Sequence, residues 1–310
     1  MYISSDEVLE KEGITRIPGF QEAWAQTSPR QRLEQVRKVG AVTRQKLLDD
    51  DRVLFYRSVD LIRAPYPTKY GLSNAFTGIS PFMHILNRLF IVQFKSQGQV
   101  KTLLFSPSNL EAGAKTPYFW RLANSVGPFN GLLKAFIAPT LNTVEQALQK
   151  VGIAPEQVDY ISYDHLHTQD IRQWLGVDGK PGYFKNAKLL VMAQEWESAN
   201  GLIPPQIDWY APDGMKGVDP AKIITLDSSV KLGDGISLVH TPGHTEGNHS
   251  LVANTPEGLM VTSETRSRTE TYIRTSPVGR LFDYVMFFIC SHLFFFVNTN
   301  GKIGVISLIQ

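Results

Sequence analysis

An α/β fold is what this 310-residue sequence predicts. Two patterns carry the expectation. Short apolar, β-rich runs alternate with amphipathic helical stretches, and several of those runs stop abruptly in loops that contain His, Pro or Gly. Composition supplies the rest: 43% hydrophobic residues, 19% charged, 24 Gly and 18 Pro describe an ordinary globular chain with material for a sizeable core.

Residues 1–50 are polar and helical in pattern, with Leu33, Val36, Val39, Val42 and Leu47 forming an approximate stripe and no evident chemistry. They read as an accessory helical layer. Residues 53–64 (VLFYRSVDLIRA) are β-rich and are expected to stop at Pro65 and Pro67; residues 88–94 and 99–105 flank an SQGQ turn, a hairpin signal. Asn142 and Thr143 open a helix whose apolar face is Val144, Ala147, Leu148 and Val151, with Gly152 as its stop. After it come the strand VDYISY, a short helix at 171–175, a buried strand at 187–193, and a strand at 235–240 that runs into Pro242-Gly243. No internal repeat is visible.

Charge and cysteine content narrow the function classes. With 31 Lys+Arg against 29 Asp+Glu, the formal charge of +2 provides no field to hold nucleic acid. One cysteine, Cys290, excludes an internal disulfide framework and any Cys-based zinc or iron–sulfur site. The opening MYISSDEVLEKEG has acids where a secretion signal needs a basic start, so a cytoplasmic protein is expected. Residues 281–297 (LFDYVMFFICSHLFFFV) approach the length of a membrane span, but Asp283 and His292 make that costly, and a buried C-terminal element is the leading expectation.

Five of the seven histidines, at 165, 167, 240, 244 and 249, fall within 85 residues, each where a predicted strand gives way to a loop. Imidazole is the commonest ligand for first-row metals, and a His-x-His pair at a strand end can present two rings to one ion. The Pro242-Gly243 turn supplies a third in His244. His240 is expected to cap its strand, and His249 to hydrogen-bond the outer side of a ligand.

The ordered set HLHTQD (165–170), TPGHTEGNHSL (241–251) and LMVTSET (259–265) resembles the signature of the metallo-β-lactamase-fold hydrolases, over roughly residues 53–264. The resemblance implies an αββα sandwich at 51–280, with 1–50 as an N-terminal helical extension and 281–310 as an apolar tail, the end of the sandwich being incomplete. It also implies that His165, His167 and His244 form the first metal position and that Glu264 stands where the family has a bridging aspartate. The family pattern His-x-His-x-Asp-His is broken here by Gln169 and Asp170. Asp170 can then stand for either missing ligand, and His292 is the one histidine downstream of Glu264.

Three neutral imidazoles and a carboxylate suit zinc, with an open position for a water whose pKa the metal lowers. Two carboxylates shift the preference towards Fe or Mn, so zinc is the expectation for one ion and iron or manganese for two. Asp170 or Glu264 is the candidate general base. The leading function is a hydrolase that uses metal-bound hydroxide on a small-molecule ester, lactone, thioester or phosphoester. The alternatives are a dinuclear iron redox enzyme on the same fold and a non-catalytic binding module. A homodimer partner or a membrane surface are the candidates to cover the apolar tail.

Overall fold

The computed structural model describes residues 3–68, 82–124 and 139–263. Glu264, Cys290, His292 and the whole 281–310 tail lie outside the described residues.

Two sheets form the centre. The larger runs, in spatial order, β2 (Phe55–Pro67), β3 (Phe82–Ser96), β4 (Gln99–Phe105), β5 (Tyr160–Ser162), β8 (Lys188–Met192) and β9 (Ile223–Leu226). Its β4-β5, β5-β8 and β8-β9 pairs are parallel; the rest is antiparallel. The smaller sheet is antiparallel throughout: β1 (Thr15–Arg16), β10 (Val230–Gly233), β11 (Ile236–His240), β12 (His249–Thr255) and β13 (Gly258–Thr262). A two-stranded ribbon of β6 (Gly176–Val177) and β7 (Lys180–Pro181) projects from the loops.

The two-residue period of a strand turns these sheets into four layers. Phe90, Val92, Phe94, Leu103, Phe105, Leu190, Met192, Ile224 and Leu226 of the larger sheet meet Val230, Leu232, Ile236, Leu238, Leu251 and Ala253 of the smaller one in a shared core. The intervening residues, Leu89, Ile91, Leu104, Leu189 and Val191, face the other way onto the helix Val144–Val151 and the aromatic block of Trp174 and Phe184. On the far side, Val239 and Val252 pack under Phe20, Ala23, Val36 and Leu47. The order helix, sheet, sheet, helix is the expected αββα sandwich.

Three details depart from the sequence reading. The residues at 1–50 are built into the sandwich: β1 extends the smaller sheet at its edge, and the helix Pro29–Asp49 forms that sheet's outer layer. In that helix the buried stripe is Val36, Gly40, Thr43 and Leu47, a clean four-three-four spacing, while Val42 falls off the face and is exposed. Strand β2 also runs through Pro65 to Pro67, pairing with β3 as far as Phe82. It lies at the edge of its sheet, where a missing N–H costs no ladder bond.

Other local signals are met. Gln97 and Gly98 both take positive φ at the β3-β4 turn. Thr143 and Gln146 close a reciprocal capping box, and Gly152 ends the helix at φ 70°.

Candidate metal centre

The parallel strands β4, β5 and β8 deliver their following loops to one end of the larger sheet. Residues 163–170 leave β5 there, and residues 241–248 bridge β11 and β12 of the smaller sheet. The His249 backbone N–H donates to the Asp164 carbonyl at 2.9 Å, tying the two sheets together at this edge. The 241–248 loop is closed on itself: the Thr241 N–H donates to the Asn248 carbonyl, and the Asn248 amide donates to both the carbonyl and the hydroxyl of Thr241. His240 donates through Nε2 to the Glu246 carbonyl at 2.8 Å, which holds it in the loop scaffold.

His165, His167 and His244 come together, their ligand-capable atoms all within 4.8 Å of one another. Their ring centroids are 4.7–4.9 Å apart, with the planes 80–88° to each other. His165 is buried, His167 half-buried and His244 exposed, so the cluster opens to the surface on one side. His167 Nδ1 and His244 Nε2 lie 3.1 Å apart. Burial, reinforced by the neighbouring imidazoles, pushes His167 down to about 2 and His244 down to about 4. Both are therefore neutral at neutral pH, with lone pairs available to a cation. Three imidazoles whose ligand-capable atoms gather within 4.8 Å fit one divalent ion.

Asp164 sets the first of these rings. It is completely buried; its Oδ1 accepts from the His165 backbone N–H at 3.0 Å and from His165 Nδ1–H at 2.9 Å. Its Oδ2 accepts from the Ser263 hydroxyl at 2.9 Å. Burial by itself would raise this carboxyl, but the His165 charge and these hydrogen bonds outweigh it and hold the group below its ordinary value. In the neutral ring, with Nδ1–H donating to Asp164, Nε2 is the nitrogen that His165 offers a cation.

The next residues are also fixed. Thr168, a β-branched residue, is held at φ 63°, and its N–H donates to the Trp209 carbonyl at 2.7 Å. His249, fully buried, donates through Nε2 to Ser162 Oγ at 2.9 Å, since the Ser162 proton goes to the Leu190 carbonyl. Burial lowers His249 to about 4. The side chain thus stands behind β5 and is neutral.

Asp170, expected as a ligand and as a candidate base, is buried and committed to Arg172. Its Oδ1 accepts from Arg172 Nε at 2.9 Å and from the Arg172 backbone N–H at 3.0 Å, and its Oδ2 takes a second guanidinium nitrogen. The group of ligand atoms that converges among the described residues comprises the three histidines alone. His84 lies exposed on β3.

The αββα sandwich with three histidines at one edge is the arrangement that the resemblance to the metallo-β-lactamase-fold hydrolases implies. An N-acyl homoserine lactonase from Bacillus sp is 31% identical over 136 residues, which covers 43% of this chain and 49% of that protein. One from Bacillus thuringiensis is 27% identical over 149 residues, with 44% and 51% coverage. The chain spans about half the length of the curated relatives it matches. A solved structure of a quorum-quenching N-acyl homoserine lactone lactonase aligns over 68% of this chain and 73% of its own, at 16% identity and a TM-score of 0.48. No family model matches the chain. Among the described residues no helix is long and apolar enough to cross a membrane.

Sequence reasoning passed over Asp164, Ser263, Glu195 and Tyr210. Asp164 had a local signal, an acid directly before His-x-His. The others reach the site only through hydrogen bonds and contacts between segments distant in sequence.

Proposed function

We propose that this chain is a metal-dependent hydrolase that opens the ring of a lactone, with N-acyl homoserine lactones as the first substrates to try. The convergence of His165, His167 and His244 carries the reading. The ligand set suits zinc, one ion on the three histidines; a second ion requires Asp170 and Glu264 as further ligands. A bound divalent metal supplies Lewis acidity towards a carbonyl and a lowered pKa for its water.

The chain's own residues do the rest. Asp164 fixes which nitrogen His165 offers. The rings of Tyr210 and Trp209 flank His167 at 4.8 and 6.4 Å, and Trp209 stacks on Tyr118 at 4.6 Å, an aromatic wall beside the open face of the cluster that suits a substrate with an apolar group. Glu264 remains the proposed general base, because the Asp170 carboxylate is engaged by Arg172. The single cysteine fits a cytoplasmic setting.

The test is elemental analysis of the full chain purified without added metal or chelator, beside His165→Ala and His244→Ala, with ring opening of N-acyl homoserine lactones followed by chromatography. Zinc in the wild type, with metal and activity lost in both variants, is expected. A folded wild type without metal or ring-opening activity overturns the proposal.

A further inference from the structure

Behind the histidines lies a second buried acid, Glu195, in the first turn of the helix Ala193–Asn200 that leaves β8. Its relative exposure is 1%. Its Oε1 accepts from the Leu166 backbone N–H at 2.8 Å, and Leu166 is the residue between His165 and His167. The same oxygen accepts from the Tyr210 hydroxyl at 3.0 Å, and the Tyr210 ring stands edge-on to His167 at 4.8 Å and 86°. Burial, and then the Glu195 charge, raise the Tyr210 phenol above its ordinary value, so it stays a donor. The loop that carries His244 docks on the same spot: a Cβ at Gly247 would come within 2.2 Å of the Glu195 backbone nitrogen and 2.6 Å of its Cα. One side chain and its backbone therefore touch both histidine-bearing segments.

We infer that Glu195 is a positioning residue that holds the 163–170 turn and the 241–248 loop in the geometry in which the three imidazoles take one divalent ion. The inference rests on the reading that this cluster binds metal. One side-chain oxygen of Glu195 satisfies two donors, and its removal leaves the Leu166 N–H a buried donor without a partner. Outer partners of metal ligands of this kind typically change affinity by about 10–100-fold.

The experiment titrates cobalt(II) and zinc(II) into the metal-stripped full chain against a chromophoric chelator, and records the visible ligand-field spectrum of the cobalt form. Wild type, Glu195→Gln, Glu195→Leu and Tyr210→Phe are compared, with far-UV circular dichroism and the unfolding midpoint of each metal-free protein alongside. Glu195→Gln keeps an oxygen for both donors and binds within about 3-fold of wild type, with the same spectrum; Glu195→Leu, folded, binds about 10–100-fold more weakly with an altered spectrum. A folded Glu195→Leu with wild-type affinity and spectrum overturns the inference and leaves the proposed function standing. If Glu195→Leu does not fold, Tyr210→Phe decides: a weakened affinity or a changed cobalt spectrum supports the inference, and wild-type values for both overturn it. A wild type that binds neither ion overturns both.

Discussion

Replacing Asp164 by Asn separates the shape of the His165 partner from its charge. The residue is completely buried and accepts three hydrogen bonds, at 3.0 and 2.9 Å from His165 and 2.9 Å from Ser263. Asn fills the same space. Its carbonyl can keep both His165 bonds at Oδ1, while its amide faces the Ser263 hydroxyl, which can rotate to accept. What disappears is the negative charge opposite Nδ1, and with it part of the electron density that makes Nε2 a good ligand. Charged hydrogen bonds contribute about 1.5–3 kcal/mol against about 0.5–1.5 for neutral ones, so a loss of about 1–2 kcal/mol at this ring is the working figure. That corresponds to zinc affinity about 5–30-fold weaker, a factor of ten being about 1.4 kcal/mol. The assay is zinc competition with a chromophoric chelator at pH 7.5, with circular dichroism to show that the variant is folded. A folded Asp164→Asn protein whose zinc affinity stays within 2-fold of wild type would refute the argument that Asp164 sets the ligand strength of His165.

Three more outcomes are expected. Gly247→Ala forces a methyl against the Glu195 backbone, at 2.2 Å from its nitrogen, and should destabilise the protein by about 2–3 kcal/mol in denaturant titration; a change below about 0.5 kcal/mol counts against the close packing of the two segments. Thr168→Asn puts a residue tolerant of the left-handed region at φ 63° and should raise stability by about 1 kcal/mol, read as a higher unfolding midpoint; a lower midpoint means that the Thr168 side chain contributes more than its backbone costs. The metal-free protein should lose stability as pH falls. The folded pKa of His249 is depressed to about 4 while the unfolded chain titrates near 6.5, so between those values the unfolded state binds more protons. The slope from this buried group is at most about 1.4 kcal/mol per pH unit, and it should flatten in His249→Gln. Equal midpoints at pH 7 and pH 5 for the wild type would contradict the burial of a neutral imidazole there.

Much of this protein can be read from short stretches of its sequence. Thr143 with Gln146 and Gly152 announces a helix because capping is settled within four residues; Gln97-Gly98 announces a hairpin because turn chemistry is equally local. His165 and His167 are legible for the same reason, since a two-residue spacing at a strand end places both rings without help from the rest of the chain. The pairing of these rings with His244, 77 residues later, was legible only through the ordered motifs, and it took the sandwich to bring their nitrogens within 4.8 Å.

Tertiary structure alone decided the rest. Whether Pro65 and Pro67 end a strand depends on whether that strand has a neighbour on its proline side, and β2 is an edge. Whether Val42 joins the core depends on which face of its helix meets Val239 and Val252. Whether Asp170 is free to bind a metal depends on a guanidinium two residues away that folds back onto it, while Arg172 read alone is an ordinary surface cation. Glu195 belongs to the same class: its sequence neighbours say nothing of Leu166 or Tyr210, because β8 and β5 must first lie side by side. Local spacing chooses the atoms that could bind a metal; parallel pairing and burial choose the acids that hold them still, because an acid placed in a dry interior persists where long-range packing brings it its donors.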